Sequence, residues 1–118
     1  YSMRCLFFVC LSTAAFLISM PLHAQPEAWY VEQSCNGRVE VRLSDRTRVD
    51  CLTDEYAIEY DFTHKWAEAI GQALHYSLMT GKSAGIVLIG SQGDAGYKRA
   101  KDVIDFYELP IVLNTLRR

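Results

Sequence analysis

The chain has 118 residues, 50% of them hydrophobic and 22% charged, with a formal net charge of −2. This length allows one domain with a single modest hydrophobic core. Because the net charge is slightly negative, the chain is not built to coat a nucleic acid by electrostatics alone. Any contact with phosphate would therefore depend on a local cluster of basic residues.

The N-terminal segment has the pattern of a secretory signal peptide. Met3 and Arg4 give a positively charged start, and an almost unbroken apolar run follows from Leu6 to Met20. Ala24 supplies the small residue that ends a cleavage site. Because the apolar run is short for a membrane span, we expect a cleaved signal rather than a retained membrane anchor.

This pattern divides the chain into a signal peptide over 1–24 and a single domain over 25–118. Residues 1–2 precede the first methionine and are interpreted as a remnant. After signal removal no membrane span is expected, so the domain would be secreted or periplasmic.

The first half of the domain predicts a short helix and an antiparallel meander. The helix runs from Pro26 to Gln33. Alternation of apolar and polar residues then predicts strands at 38–43, 48–52 and 56–62. We call the four basic residues of the first hairpin the hairpin arginines, and they form either a solvated face or a phosphate-contacting patch: Arg38, Arg42, Arg46 and Arg48.

The second half predicts two further helices and two further strands. Thr63 caps a helix that Gly81 ends. The apolar run from Ala84 to Ile89 is typical of a buried central strand, and a helix at 95–107 and a strand at 110–116 follow. The order α-β-β-β-α-β-α-β indicates an α/β fold, with a mixed sheet flanked by helices on both faces.

Cys35 and Cys51 are the two cysteines of the predicted mature domain. In an oxidising compartment such a pair favours a disulfide over two buried free thiols. The bond would join the end of the first helix to the second strand and stabilise the domain by about 3 kcal/mol on the loop-entropy model.

Strand parity predicts a cluster of acidic residues on one face of the sheet. Val49 and Cys51 share the apolar parity of the first hairpin, which leaves Asp50 on the other face. Glu59 and Asp61 also lie opposite the bulky apolar residues of their strand. Magnesium prefers such oxygen ligands, so Asp50 and Glu59 are the candidate ligands of Mg²⁺ or Mn²⁺.

The following helix adds polar residues that the helical repeat places nearly in one row, Lys65, Gln72 and Tyr76, with Glu68 beside them. Lys65 could orient a nucleophile or stabilise charge in a transition state, and Gln72 and Tyr76 could hold a substrate backbone or position Lys65. The alternative is a solvated helix face.

Three segments together resemble the PD-(D/E)xK nuclease superfamily, and in particular its RecB-like branch with a Gln-x-x-x-Tyr helix motif. They are RVDCL at 48–52, AIEYDF at 57–62 and KWAEAIGQALHY at 65–76. The resemblance covers most of the predicted mature domain and implies a restriction-endonuclease-like fold. It also implies roles for specific residues: Asp50 and Glu59 as ligands of the catalytic metal, Gln72 and Tyr76 as the helix motif, and Glu27 or Glu32 as an acid from the first helix.

One position departs from the family pattern. The family's lysine would stand two residues after Glu59, where this chain has Asp61. Lys65 could reach back from the helix as its replacement, with Asp61 as an auxiliary acid. Alternatively, the lysine is lost and the scaffold is retained without turnover.

Two functions therefore remain open. The first is an exported, metal-dependent phosphodiesterase, in particular a nuclease that acts on nucleic acid. The second is a catalytically inactive nuclease-fold interaction module, such as a periplasmic accessory protein that docks a protein partner through the hairpin arginines.

Overall fold

The computed structural model describes residues 14–15 and 24–118, so the predicted signal peptide lies almost wholly outside the described residues. Within the described part, no helix combines the length and apolarity needed to cross a membrane. The elements in chain order are α1 (Glu27–Ser34), β1 (Arg38–Arg42), β2 (Arg48–Leu52), β3 (Tyr56–Phe62), a 3₁₀ turn (Thr63–Lys65), α2 (Trp66–Thr80), β4 (Ser83–Ile89), α3 (Ala95–Phe106) and β5 (Ile111–Leu116).

The five strands form one mixed sheet in the spatial order β1-β2-β3-β4-β5. The first three strands are an antiparallel meander, and β3, β4 and β5 are parallel neighbours. The α/β class, with a mixed sheet and flanking helices, is therefore confirmed. Each parallel connection carries a helix, as such crossovers require.

Helices α2 and α3 pack together on one face of the sheet, because successive right-handed crossovers between strands running in one direction fall on the same side. Helix α1 packs on the opposite face, where Val31 contacts Cys51 and Tyr60. The main core lies under α2 and α3 and is built from small and branched side chains: Ala69, Ile70, Ala73, Ala84, Ile86, Leu88, Ala100, Ile104 and Ile111.

The predicted disulfide between Cys35 and Cys51 is confirmed. It joins the residue after α1 to the C-terminal half of β2. Helix α1 is short and buries only Tyr30 and Val31, so its own packing holds it weakly. The disulfide, together with the 2.9 Å hydrogen bond between the hydroxyls of Ser34 and Tyr60, fixes α1 on the sheet.

The predicted helix cap at Thr63 is wrong. Residue 63 begins the 3₁₀ turn, and neither the turn nor α2 has a side-chain cap. The Thr63 hydroxyl instead donates a hydrogen bond to Asp94, at 3.0 Å. The backbone of Gly96 passes so close to the Thr63 carbonyl that no Cβ would fit there, which anchors the start of α3 on this turn.

The predicted shared face of Val49 and Cys51 is also wrong. Val49 packs in the cluster that contains Tyr76 of α2, whereas Cys51 packs in the cluster beneath α1. The alternation breaks at the residue between them, Asp50. Across the ladder, Glu40 has a φ of 52°, a left-handed conformation that is rare inside a strand. This local distortion of the β1–β2 ladder lets neighbouring apolar residues reach opposite faces.

Candidate functional site

The acidic residues converge in an open cavity of about 350 Å³ between β2, β3 and α2. All six site residues predicted from the sequence line it. We call it the carboxylate cavity, and its lining is Glu27, Thr47, Arg48, Asp50, Glu59, Asp61, Lys65, Glu68, Gln72 and Tyr76.

Asp50 is positioned by a break in the pairing of β2 with β3. These strands pair only at Cys51–Ile58 and Leu52–Ala57. Continuing that register would place Asp50 opposite Glu59, but the ladder stops there. The Asp50 carboxylate instead accepts a hydrogen bond from the backbone N–H of Tyr60, at 2.8 Å. The Asp50 side chain thus accepts the hydrogen bond that a backbone carbonyl of β2 would otherwise accept from β3. Its second oxygen lies toward Glu59.

Glu59 is a buried acid, with 5% of its surface exposed, and its Oε2 atom has no hydrogen-bond partner in the described protein. Burial raises the pKa of Glu59 to about 10, and the adjacent Asp50 carboxylate adds to the rise. Burial also raises the pKa of Asp50, although the Tyr60 N–H opposes that rise. Near neutral pH, Glu59 therefore carries a proton.

Asp61 occupies the position where the nuclease motif has lysine. It is only 3% exposed, and its Oδ2 atom has no partner in the described protein. Burial raises the pKa of Asp61 to about 7, with a further rise from Glu27 and an opposing effect of Lys65. Because this value is close to neutral, Asp61 is an acid that can change its protonation state under physiological conditions.

Lys65 does reach back toward the acids. Its Nζ lies 3.8 Å from Oδ1 of Asp61 and 2.9 Å from Oε1 of Glu27. The hydrogen bond that Lys65 donates to Glu27 raises the pKa of Lys65, so the ammonium stays charged. Of the two candidate acids on α1, Glu27 enters the cavity, while Glu32 is exposed and does not line it.

Tyr76 and Gln72 complete the cavity from α2. Tyr76 is buried, and burial followed by the charge of Glu59 raises the pKa of its hydroxyl to about 12. The phenol therefore keeps its proton and can donate it in a hydrogen bond. Gln72 is exposed at the rim. Sequence reasoning missed Thr47, and Arg48 was seen only as part of a basic hairpin; Thr47 ends the hairpin turn and Arg48 begins β2, just before Asp50.

The donor set of the cavity fits a divalent cation. Two buried carboxylate oxygens, on Glu59 and Asp61, lack a hydrogen-bond partner among the described residues, and hard oxygen atoms are the ligands that Mg²⁺ and Mn²⁺ prefer. In residues 14–15 and 24–118, no group of three His, Cys, Asp or Glu side chains is close enough to enclose a metal ion. Magnesium commonly uses only one or two carboxylates and keeps several waters, and Asp50 and Glu59 can supply such a pair.

Comparisons with known proteins returned no match: no family model fits the chain, and no curated protein or solved structure is significantly similar to it. The fold and the site define only a class of protein. It is an α/β domain in which paired acids lie beside a lysine, in a cavity between the antiparallel meander and the first crossover helix. Function is therefore inferred from the chemistry of the cavity.

Proposed function

We propose that this chain is a metal-dependent phosphodiesterase of the PD-(D/E)xK type, in particular a nuclease that acts outside the cytoplasm. The observation that carries the proposal is the convergence of Asp50 and Glu59 in one cavity with Lys65, Gln72 and Tyr76. The element order and the mixed sheet support a restriction-endonuclease-like fold. The disulfide supports export, since such bonds persist in oxidising compartments.

Asp50 and Glu59 are the proposed ligands of Mg²⁺ or Mn²⁺, and the bound ion would acidify a water and neutralise charge on the scissile phosphate. To coordinate the ion, Glu59 would have to release its proton. Lys65 holds a positive charge beside Asp61, where a phosphate oxygen could be stabilised. Tyr76 and Gln72 offer neutral hydrogen-bond donors for the substrate backbone.

The first test is a calorimetric titration of the disulfide-bonded protein with MnCl₂ and MgCl₂. Asp50→Asn/Glu59→Gln keeps the shape of both side chains and removes their charges, so we expect binding to be lost. The matched control is Asp54→Asn/Glu55→Gln, which neutralises the same residue types at two exposed turn positions and should bind like the wild type. Equal binding by both double variants would rule out this metal centre.

Turnover is tested separately with DNA and RNA oligonucleotides in the presence of each metal. We expect cleavage by the wild-type protein and a loss of at least about a hundredfold in Glu59→Ala, the scale expected when charge stabilisation in a transition state is removed. If Glu59→Ala cleaves as fast as the wild type, the assignment of the site is wrong.

A second candidate function is an inactive nuclease-fold module that binds a protein partner. The observation in its favour is that Asp61 replaces the motif lysine and that Lys65 is already paired with Glu27 at 2.9 Å. Metal affinity that requires both Asp50 and Glu59 would count against this candidate. Absence of metal binding in the wild-type protein would favour it.

A further inference from the structure

The β1–β2 hairpin concentrates positive charge beside the carboxylate cavity. All four hairpin arginines are exposed, and Arg48 also lines the cavity. The two acids between them have local partners. Asp45 accepts hydrogen bonds from Thr47 and lies 2.6 Å from His75. Glu40 stands 3.9 Å from Arg48, a long and solvent-exposed contact that neutralises little charge.

Arg42 and Arg48 lie directly opposite each other across the two strands. Cross-strand partners project from the same face of a sheet, and like charges in this position destabilise the pairing. A bound anion would replace this repulsion with attraction to both guanidinium groups. Guanidinium groups also match phosphate geometry, because each can donate two parallel hydrogen bonds.

The extent of the basic surface suits a polyanion better than one phosphate group. Arg46 in the turn continues the surface past the Arg42–Arg48 pair. Arg38 pairs with Leu52 beyond the distortion at Glu40 and lines a separate cavity, so it is not part of this surface. The chain as a whole is negative, and the adjoining cavity is lined by five acids, so an anionic polymer would approach this cavity only where neighbouring cations hold it.

We propose that Arg42, Arg46 and Arg48 bind the sugar–phosphate backbone of a nucleic acid strand and guide its next phosphate into the carboxylate cavity. Guidance into the cavity rests on the proposed function, whereas binding of the backbone needs neither metal nor turnover. Arg42 and Arg48 form the centre of this surface and contact the backbone directly.

The test measures fluorescence anisotropy of labelled 20-nucleotide DNA and RNA oligonucleotides, in EDTA so that neither metal nor cleavage contributes. Arg42→Gln/Arg48→Gln should weaken binding at least about tenfold at low salt. It should also lower the salt slope by about 1.4, since each single-strand phosphate contact contributes about 0.7. The matched control is Lys98→Gln/Arg99→Gln, which removes two exposed charges from α3 and should bind within about twofold of the wild type.

Three results would overturn the inference: no oligonucleotide binding by the wild type, equal weakening by both double variants, or an unchanged salt slope. If polyglutamate of the same charge displaces the labelled oligonucleotide as well as unlabelled nucleic acid does, the partner of this surface is an acidic protein and not a nucleic acid. Thermal unfolding of both variants controls for folding, and the hairpin variant should be no less stable because it loses a like-charge pair. If the manganese titration fails while this binding pattern holds, the proposed catalytic function fails and the hairpin assignment stands.

Discussion

Nζ of Lys65 lies 2.9 Å from Oε1 of Glu27, although the two residues are 38 positions apart in the chain. This contact joins α1 on one face of the sheet to the 3₁₀ turn that leads into α2. Since Asp61 lies 3.8 Å from the same ammonium group, Glu27 and Asp61 compete for one positive charge. The protonation of Asp61 thus depends on a residue contributed by α1.

We predict that this competition controls the pKa of Asp61. Glu27→Gln should lower that pKa from about 7, because Glu27 raises it. Lys65→Met should raise it, because the ammonium lowers it. Carboxyl ¹³C chemical shifts recorded against pH would measure both changes. Glu32→Gln, at an exposed position of the same helix, is the control and should leave the titration of Asp61 unchanged.

Shifts of the same sign in Glu27→Gln and Lys65→Met would contradict this account. That result would mean that the pKa of Asp61 responds to a general change in the cavity and not to the opposite charges of Glu27 and Lys65.

Glu59 should make the metal-free protein less stable as pH rises. The folded state keeps the Glu59 proton up to a pKa of about 10, whereas the unfolded chain releases it near the ordinary value of 4.5. The folded state therefore binds more protons across this window, and the free energy of unfolding falls as pH increases, by at most about 1.4 kcal/mol per unit. Glu59→Gln removes this dependence, so it should stabilise the protein by a few kcal/mol at pH 8, on the order expected from linkage.

Urea denaturation in EDTA at pH 6, 7 and 8 measures this effect. We expect the difference in free energy of unfolding between Glu59→Gln and the wild type to grow with pH. Glu55→Gln, in an exposed turn, should follow the wild type. Parallel curves for Glu59→Gln and the wild type would mean that Glu59 is already ionised in the folded protein.

Metal binding should be coupled to release of the same proton. At pH 8 Glu59 is still protonated, since its pKa is about 10, and an incoming cation must displace that proton. We expect release of about one proton per Mn²⁺ and an affinity that rises up to about tenfold per pH unit. Calorimetry in two buffers with different ionisation enthalpies gives the number directly. If no proton is released when Mn²⁺ binds at pH 8, the metal does not displace a proton from Glu59. That result would exclude a protonated Glu59 as the metal ligand.

The sequence predicted the convergence of the acids because local periodicity determines which face each side chain occupies. Glu59 and Asp61 alternate with apolar residues in β3, and Gln72 and Tyr76 follow the helical repeat of α2, whereas Lys65 lies in the 3₁₀ turn just before it. The same parity rule failed at Val49 because Glu40, on the neighbouring strand, adopts a left-handed conformation that β-strand alternation does not anticipate. Periodicity alone also did not specify the pairing of Lys65 with Glu27, because that contact depends on the packing of α1.

Reduction of the disulfide should release α1 before the rest of the domain unfolds. The bond between Cys35 and Cys51 is the covalent attachment of a short helix that buries only two side chains. Cys35→Ser/Cys51→Ser should lower the free energy of unfolding by about 3 kcal/mol, the loop-entropy value for a loop of this size.

In hydrogen exchange, α1 amides should lose protection while amides of the central strand β4 keep most of theirs. Because Glu27 leaves with α1, the pKa of Asp61 should fall as in Glu27→Gln. Full protection of α1 in the double variant would show that Tyr30 and Val31 hold the helix without the disulfide.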